Sequence, residues 1–493
     1  MDRRIRVLTV LFLACFTVLF LQLNNLQVRE ASALKHSPYE PSTTVSSWNL
    51  PRGDIVASNG AILAYSTRNP AGVGYVRHYA NGPLYADVTG YYDWVQQAVQ
   101  FGIEDEYNSY LVQHESSAHN LSDLLTQSKG TDTVEVTISP HLQSVAQAAL
   151  APYSDGAVVA IDPTTGAILA MYSKPSYDPN KLSGANPVAI NKYYASLTPS
   201  SGSSPLVNGA TSTLTAPGST FKIITTSAIL DHDPSLATEY VKPTGALTLP
   251  QSNLKLHNFA GEICGGTLAE NLWVSCDTAF GHYGLSLGGS RLAREANAFG
   301  MNKRPPIDLP PAEVSASRFP SAGSFAQNQP GLAYSAIGQE NVAETVLQDA
   351  LIVSAVANGG TIMTPHLMAH IFDDQGRVIA TYKPHPWLHA TSIATADQVR
   401  QLMLGVAIRG TAAGLFPASL NVAAKTGTAE VGSNNCSSNW LVATGPAGAG
   451  QVPKVAVAAV VPYQANLTCD GTGAAIAGPV VAKVLDAAVG YAG

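Results

Sequence analysis

An α/β or α+β fold, with one sheet joining the two ends of the larger part of the chain, is predicted by three observations. Residues 156–161 form a short β-rich run, and a turn containing Pro163 and Gly166 separates it from a second run at 167–172. Three further strand-like runs, 422–431, 439–444 and 455–462, crowd the C-terminal end. A helical stretch at 474–491, interrupted early by Pro479, closes the chain, and other helical stretches fill the space between the two sets of strands.

The elements follow in chain order. Residues 7–23 are apolar apart from Thr9, Thr17 and Gln22, and Arg3, Arg4 and Arg6 precede them. About 17 to 25 such residues can cross a bilayer as a helix. Arginines stay on the cytoplasmic side, which leaves 1–6 inside and everything after the anchor outside. Ala31-Ser32-Ala33 resembles a signal-peptide cleavage site. It lies well past an apolar run that is long for a signal core, so the reading is a retained single-pass anchor.

Residues 36–154 read as a first, non-catalytic extracytoplasmic domain. Asn59-Gly60 stands between the apolar runs at 55–56 and 61–64, a strong hairpin signal. Arg52-Gly53-Asp54 invites an adhesion reading, but its surroundings are ordinary strand and turn. Residues 91–114, rich in aromatic and polar side chains, have helical character. No nucleophile stands beside a base in this region. The second domain, 155–493, opens on the Asp162-Pro163-Thr164-Thr165-Gly166 turn, where proline early and glycine late suit the backbone angles required. Residues 196–213, loaded with Ser, Gly, Pro and Asn, form a loop.

Composition narrows the function classes. The 493 residues suffice for two or three domains and a large core, since 46% are hydrophobic. Only 12% are charged and the net charge is −7, which gives no basis for nucleic-acid binding. Cys15 falls in the anchor. Cys264, Cys276, Cys436 and Cys469 permit two disulfides in an oxidising envelope, with three pairings open. There is no Cys-x-x-Cys or Cys/His cluster with zinc spacing, and no metal or cofactor is expected.

Three motifs carry the chemistry. Pro217-Gly218 breaks the chain before Ser219, and 220–230 has helical character. Residues three apart share a helix face, which puts Lys222 beside Ser219. A serine hydroxyl needs a neighbouring base, and a lysine serves if burial and nearby positive charge lower its pKa. In Lys425-Thr426-Gly427-Thr428 on a strand, alternate side chains face the same way. Gly427 removes a side chain where a ligand backbone would lie close. A peptide would then bind as an added strand, with Lys425, Thr426 and Thr428 donating to a terminal carboxylate. The backbone N–H groups of Ser219 and Thr428 would form an oxyanion hole. In Ser275-Cys276-Asp277, the Ser275 hydroxyl would relay a proton between Lys222, Lys425 and a leaving group, and Asp277 would accept a hydrogen bond from Lys222. Each motif alone has a bland alternative: a helix cap with a solvated lysine, a lysine beside a tight strand, a second cap. Their order and spacing match a serine acyl-transfer site whose base is a lysine.

On these motifs the chain resembles the class B penicillin-binding proteins. The resemblance extends to Arg52-Gly53 with Asn59-Gly60 and Leu63-Ala64, the 156–171 hairpin, Pro175 through Pro179-Asn180, and 217–222. It continues through Ala336-Ile337-Gly338-Gln339, Ala357-Asn358-Gly359-Gly360-Thr361 with Pro365-His366, Arg409-Gly410-Thr411-Ala412, and 425–430. The modest length and short first region are similar to the actinobacterial cell-division branch. The resemblance implies a penicillin-binding/β-lactamase-like transpeptidase domain, with a central antiparallel sheet flanked by helices, behind a small N-terminal domain and one transmembrane helix. It implies a peptidoglycan D,D-transpeptidase. Ser219 would attack the penultimate D-Ala of a stem peptide ending in D-Ala-D-Ala, an amine of a neighbouring stem would resolve the acyl-enzyme, and β-lactams would acylate Ser219. Implied partners are stem peptides, the membrane and a polytopic glycan polymerase. The family's middle motif usually ends in Asn, whereas this chain has Asp277; paired with Lys222, that acid would raise the lysine's pKa. A D,D-carboxypeptidase, a β-lactamase-like hydrolase and a non-catalytic penicillin-binding sensor are the alternatives.

Overall fold

The computed structural model describes residues 3–24, 50–70, 74–92, 101–115, 129–184, 186–200, 202–431, 436–464, 467, 469 and 471–491. The chain divides into two units, Met1–Pro51 with Arg68–Tyr75, and Arg52–Thr67 with Val76–Gly493. The first contains a 22-residue helix, Arg3–Asn24. Val10, Leu13, Phe16 and Phe20 on it are all exposed. Among the described residues no helix is long and apolar enough to cross a membrane. The anchor expected over 7–23 is thus seen here only as a helix with an apolar exterior. Ala31-Ser32-Ala33 lies outside the described residues.

The second unit is built on two sheets. The strands of these two larger sheets, in chain order, are β1 (Ile55–Val56), β2 (Ile62–Arg68), β3 (Tyr75–Tyr79), β4 (Thr133–Val136), β5 (Gly156–Ile161), β6 (Ile168–Lys174), β7 (Met368–Phe372), β8 (Val378–Thr381), β9 (Ala423–Val431), β10 (Cys436–Gly445) and β11 (Val455–Val461), and four two-stranded sheets lie outside them. The larger core surrounds a five-stranded sheet of order β9-β10-β11-β5-β6, antiparallel throughout. Both ends of the 156–491 segment therefore meet in one sheet. Every residue of β10 and β11 is buried. Strands without polar alternation require cover on both faces. The helices Val346–Ala357, Pro140–Leu150 and Gly478–Tyr491 supply it, and all twelve residues of Val346–Ala357 are buried.

The β5–β6 hairpin forms where its turn chemistry predicts. Asp162 Oδ1 accepts from the Thr164 N–H at 2.8 Å and from its hydroxyl at 2.7 Å. Gly166 takes φ +83°, a left-handed conformation suited to glycine. At the C-terminus, Gly473–Ile476 and Gly478–Tyr491 are two helices that break ahead of Pro479.

The second sheet has the order β8-β7-β4-β1-β2-β3. β1 pairs antiparallel with β2 across the Asn59-Gly60 turn and parallel with β4. The strands expected in the first region thus form, but β7 and β8, more than 200 residues downstream, complete their sheet. Residues 102–106 and 108–111 are short helices; the 93–100 part of the expected helical stretch lies outside the described residues. Arg52 is buried, not displayed. It pairs with Glu104 at 2.7 Å, and Arg77 reaches the other carboxylate oxygen at 2.6 Å. Burial pushes the Glu104 carboxyl up, and the two guanidinium groups more than offset this, holding it below its ordinary value. A Cβ at Gly53 would overlap the Asp132 carbonyl. The Arg-Gly-Asp tripeptide is structural here.

Candidate active site

Ser219 lies on a single 3₁₀ turn, Gly218–Phe221, that runs directly into the helix Lys222–His232. Gly218 makes this entry possible. Its φ is +57°, and a Cβ on it would stand 2.7 Å from the Thr428 carbonyl oxygen. Its N–H donates to Gly338 O at 3.0 Å, and the Trp440 indole on β10 donates to Ala216 O at 2.9 Å. The serine segment is thereby pinned to β9 and to its neighbour in the sheet. At Gly427 the space for a Cβ is taken by Pro217 O at 2.6 Å and by Thr220 Cγ2 and Trp440 Cβ at 2.9 Å. The glycine lets β9 approach the serine segment, and its bare face points into the protein.

Lys222 is fully buried. Its Nζ donates to Ser275 O at 2.7 Å, to Ser275 Oγ at 3.2 Å and to Asp277 Oδ1 at 2.7 Å. Lys425, on β9, is also fully buried. Its Nζ donates to Ser275 Oγ at 2.8 Å and to Thr426 O at 2.9 Å. One hydroxyl therefore stands between two ammonium groups that are 203 positions apart in the chain. Burial drives the Lys222 pKa down, and the Asp277 carboxylate opposes this without reversing it. Lys425 is held well below the ordinary lysine value, by burial first and by the Lys222 charge second.

Ser275 occupies the gap between the helices Leu268–Trp273 and Asp277–Leu287. Its φ is +61°, an uncommon conformation for a residue with a Cβ. Such strain persists only where the surroundings fix it. Here Ser275 N donates to Leu272 O at 3.2 Å, Cys276 N donates to Asn271 O at 2.8 Å, and Cys276 is disulfide-bonded to Cys264. The second disulfide joins Cys436 to Cys469.

A cleft of about 450 Å³ opens over these groups. Ser219, Ser275, Asp277, Thr426 and Thr428 line it. Lys222, Lys425 and Gly427 lie behind its wall, so neither lysine presents its amine to the cleft directly. Thr426 Oγ1 is 2.6 Å from Thr411 Oγ1, and Thr428 Oγ1 accepts from Gly473 N at 3.1 Å. Sequence reasoning gave no site role to Thr411, Tyr334, Glu430 or Gly473, which also line the cleft. Thr411 and Glu430 stood within motifs that carried the family resemblance, and strand alternation from Thr426 through Thr428 reaches Glu430. Tyr334 and Gly473 carry no comparable signal. Among the described residues no group of three His, Cys, Asp or Glu side chains could hold a metal.

A buried lysine pair bridged by a serine, beside a second serine at a helix start and an edge strand, defines an active-serine acyl-transfer domain. Residues 156–486 match the penicillin binding protein transpeptidase domain, and residues 52–133 match the penicillin binding protein A dimerisation domain. The chain belongs to the class B penicillin-binding protein transpeptidases. It is 33% identical to the peptidoglycan D,D-transpeptidase PbpA of Mycobacterium tuberculosis, over 99% of both chains. To PbpA of Mycolicibacterium smegmatis it is 35% identical, over 98% of this chain and 97% of the other. Its structure is similar to that of penicillin-binding protein A from M. tuberculosis in its ceftriaxone acyl-enzyme complex, with TM-score 0.81 and 33% identity over 90% of this chain and 100% of that one.

Proposed function

We propose that the chain is a serine-type peptidoglycan D,D-transpeptidase of cell-wall synthesis, with Ser219 as nucleophile. The observation that carries this is the Ser275 hydroxyl held between Lys222 and Lys425 at 3.2 and 2.8 Å, at the back of the cleft that Ser219 lines. Ser219 Oγ attacks the carbonyl of the penultimate D-Ala and gives up its proton to Lys222, which serves as base in its deprotonated form. The tetrahedral oxyanion sits at the Ser219 and Thr428 N–H groups. The C–N bond to the terminal D-Ala breaks, and Ser275 delivers a proton to the departing nitrogen. An amine of a second stem then attacks the acyl-enzyme, loses a proton to the same network, and releases Ser219 with its hydrogen restored. Thr426 and Thr428 hold the donor's terminal carboxylate. Lys425 is enclosed and acts on it as a charge behind the wall and on Ser275 by hydrogen bond. Burial supplies the lowered lysine pKa that a base requires.

Residues 155–493 act as the catalytic domain and 36–154 as a non-catalytic one. The exposed apolar side chains of Arg3–Asn24, with three arginines ahead of them, support a membrane tether with the catalytic part outside the cytoplasm. Contact with a polytopic glycan polymerase through that tether and the first domain fits the same arrangement. The test is mass spectrometry of the protein after mixing with a labelled β-lactam. One adduct is expected, on the peptide carrying Ser219. Label retained by a Ser219→Ala variant would end the proposal.

A further inference from the structure

Thr411 lines the cleft and takes no part in the proton path. It lies just beyond the helix Ile393–Arg409, and the end of that helix is fastened to Trp273, shortly ahead of Ser275 in the chain. The Trp273 indole donates to Leu402 O at 3.1 Å, the Thr411 N–H donates to Trp273 O at 3.0 Å, and the Arg409 guanidinium lies 4.7 Å from the centre of the indole. Two glycines make room for this seat. A Cβ on Gly405 would overlap the indole nitrogen, and one on Gly410 would overlap the Trp273 carbonyl. The Thr411 backbone is thereby fixed to the segment that carries Ser275. Its hydroxyl reaches the other way, to β9, where its Oγ1 stands 2.6 Å from Thr426 Oγ1.

A pair of hydroxyls joined by one hydrogen bond holds two hydrogens, one between the oxygens and one to spare. Among the described residues neither oxygen has a second hydrogen-bond partner. Thr426 is buried apart from the side it turns to the cleft, so the spare hydrogen is available to a ligand there. A carboxylate accepts hydrogen bonds and donates none. When one is seated at Thr426, that hydroxyl donates outward and Thr411 donates to it from behind. The rear bond polarises the front one, and enclosure strengthens both. In the opposite order the spare hydrogen sits on Thr411, and Thr426 turns its lone pairs on the anion.

We propose that Thr411 is a positioning residue, whose hydroxyl donates to Thr426 and so orients the Thr426 hydrogen towards the substrate's carboxylate. This rests on the transpeptidase reading. The test uses the full chain and a donor peptide ending in D-Ala-D-Ala, with released D-Ala as the readout. Thr411→Val keeps the shape and removes the donor. It should raise KM by about three- to tenfold, the scale of one hydrogen bond, and leave kcat within about twofold, because the carboxylate is held alike before and during the reaction. Thr411→Ser restores a hydroxyl and should recover most of the loss. In a Thr426→Val background, Thr411→Val should cost nothing further, since the two side chains act as one unit. A displaced β9 would disturb the Thr428 N–H and lower kcat instead. A fall in kcat with KM unchanged, a serine variant no better than the valine one, or an undiminished loss in the Thr426→Val background would each overturn the role of Thr411 alone. A native chain that releases no D-Ala and takes no β-lactam label at Ser219 would overturn the reading beneath it.

Discussion

The Lys222 ammonium and the Asp277 carboxylate meet at 2.7 Å, the lysine wholly enclosed and the acid 16% exposed. Asp277 is the first residue of the helix Asp277–Leu287, where the helix dipole favours negative charge. The acid is thus held from two sides, by the lysine and by the helix start. Its charge opposes the effect of burial on Lys222, yet burial prevails. An acid in the position where the family usually has Asn is therefore compatible with a lysine of lowered pKa.

Asp277→Asn removes the charge that favours protonated Lys222. The lysine pKa falls further, and more of it is neutral at a given pH. The acid limb of β-lactam acylation should move to lower pH, with the plateau kept or raised. Stopped-flow acylation of the variant across pH checks this; a limb displaced towards alkali would contradict the pairing.

Ser275 offers a test that separates strain from chemistry. Ser275→Ala removes the hydroxyl shared by the two amines and keeps the unfavourable φ of +61°. Ser275→Gly removes the hydroxyl and relieves the backbone. Both should lose about 10²- to 10³-fold in D-Ala release, the scale of a proton-transfer group. Thermal unfolding should show the glycine variant more stable than the alanine one by about 1 kcal/mol. Equal turnover by the native protein and Ser275→Ala would remove the relay.

Much of this architecture was legible in the sequence, for local reasons. The 156–174 hairpin is written in Asp162 and Gly166, which make its turn by contacts within five residues. The buried strand β11 is written in a continuous apolar run, and β10 in the four apolar residues 440–443 between polar ends. What escaped depends on distant pairing. Strands β7 and β8 join the first region's sheet from more than 200 residues away, and nothing in their sequence names that partner. At the site, motif order placed Ser219, Lys222, Ser275 and Lys425 in one neighbourhood, but Lys425 points into the protein, towards Ser275. Strand alternation put Lys425 with Gly427 and the threonines on the other face, without saying which face met the cleft. Four cysteines admit three pairings, and the fold selects Cys264–Cys276 and Cys436–Cys469 by bringing those residues together.

Cys264–Cys276 closes a loop that ends one residue after Ser275. The double variant Cys264→Ser/Cys276→Ser avoids a stray thiol and frees that loop in the unfolded chain. Closure of a loop of roughly this length is worth about 3 kcal/mol. Chemical denaturation should show a loss of that order, and the acylation rate should fall with it, because the strained Ser275 loses one of the ties that hold it. An unchanged midpoint would mean that the bridge contributes little beyond the hydrogen bonds at Leu272 and Asn271.

Behind the serine segment lies a pair of acids that no mechanism uses. Glu344 and Asp349 are wholly buried, and none of their four carboxylate oxygens has a hydrogen-bond partner in the structure. The Thr220 hydroxyl, the neighbour that bears on Asp349, is turned to the Pro217 carbonyl at 3.2 Å. Burial pushes Asp349 up to about 7, and burial followed by the Asp349 charge pushes Glu344 well above its ordinary value. The neutral forms are thus favoured in the folded state. Between about pH 4 and pH 7 the folded chain holds protons that the unfolded chain has released, so stability falls as pH rises through that window. Asp349→Asn keeps a neutral side chain of the same shape at every pH. The native protein should lose stability from pH 5 to pH 8, by an amount on the order of a few kcal/mol, while Asp349→Asn should show a flatter profile and the higher Tm at pH 8. Parallel Tm profiles for the two proteins would mean that these carboxyls are ionised and compensated in the fold, and the account of this pair would fail.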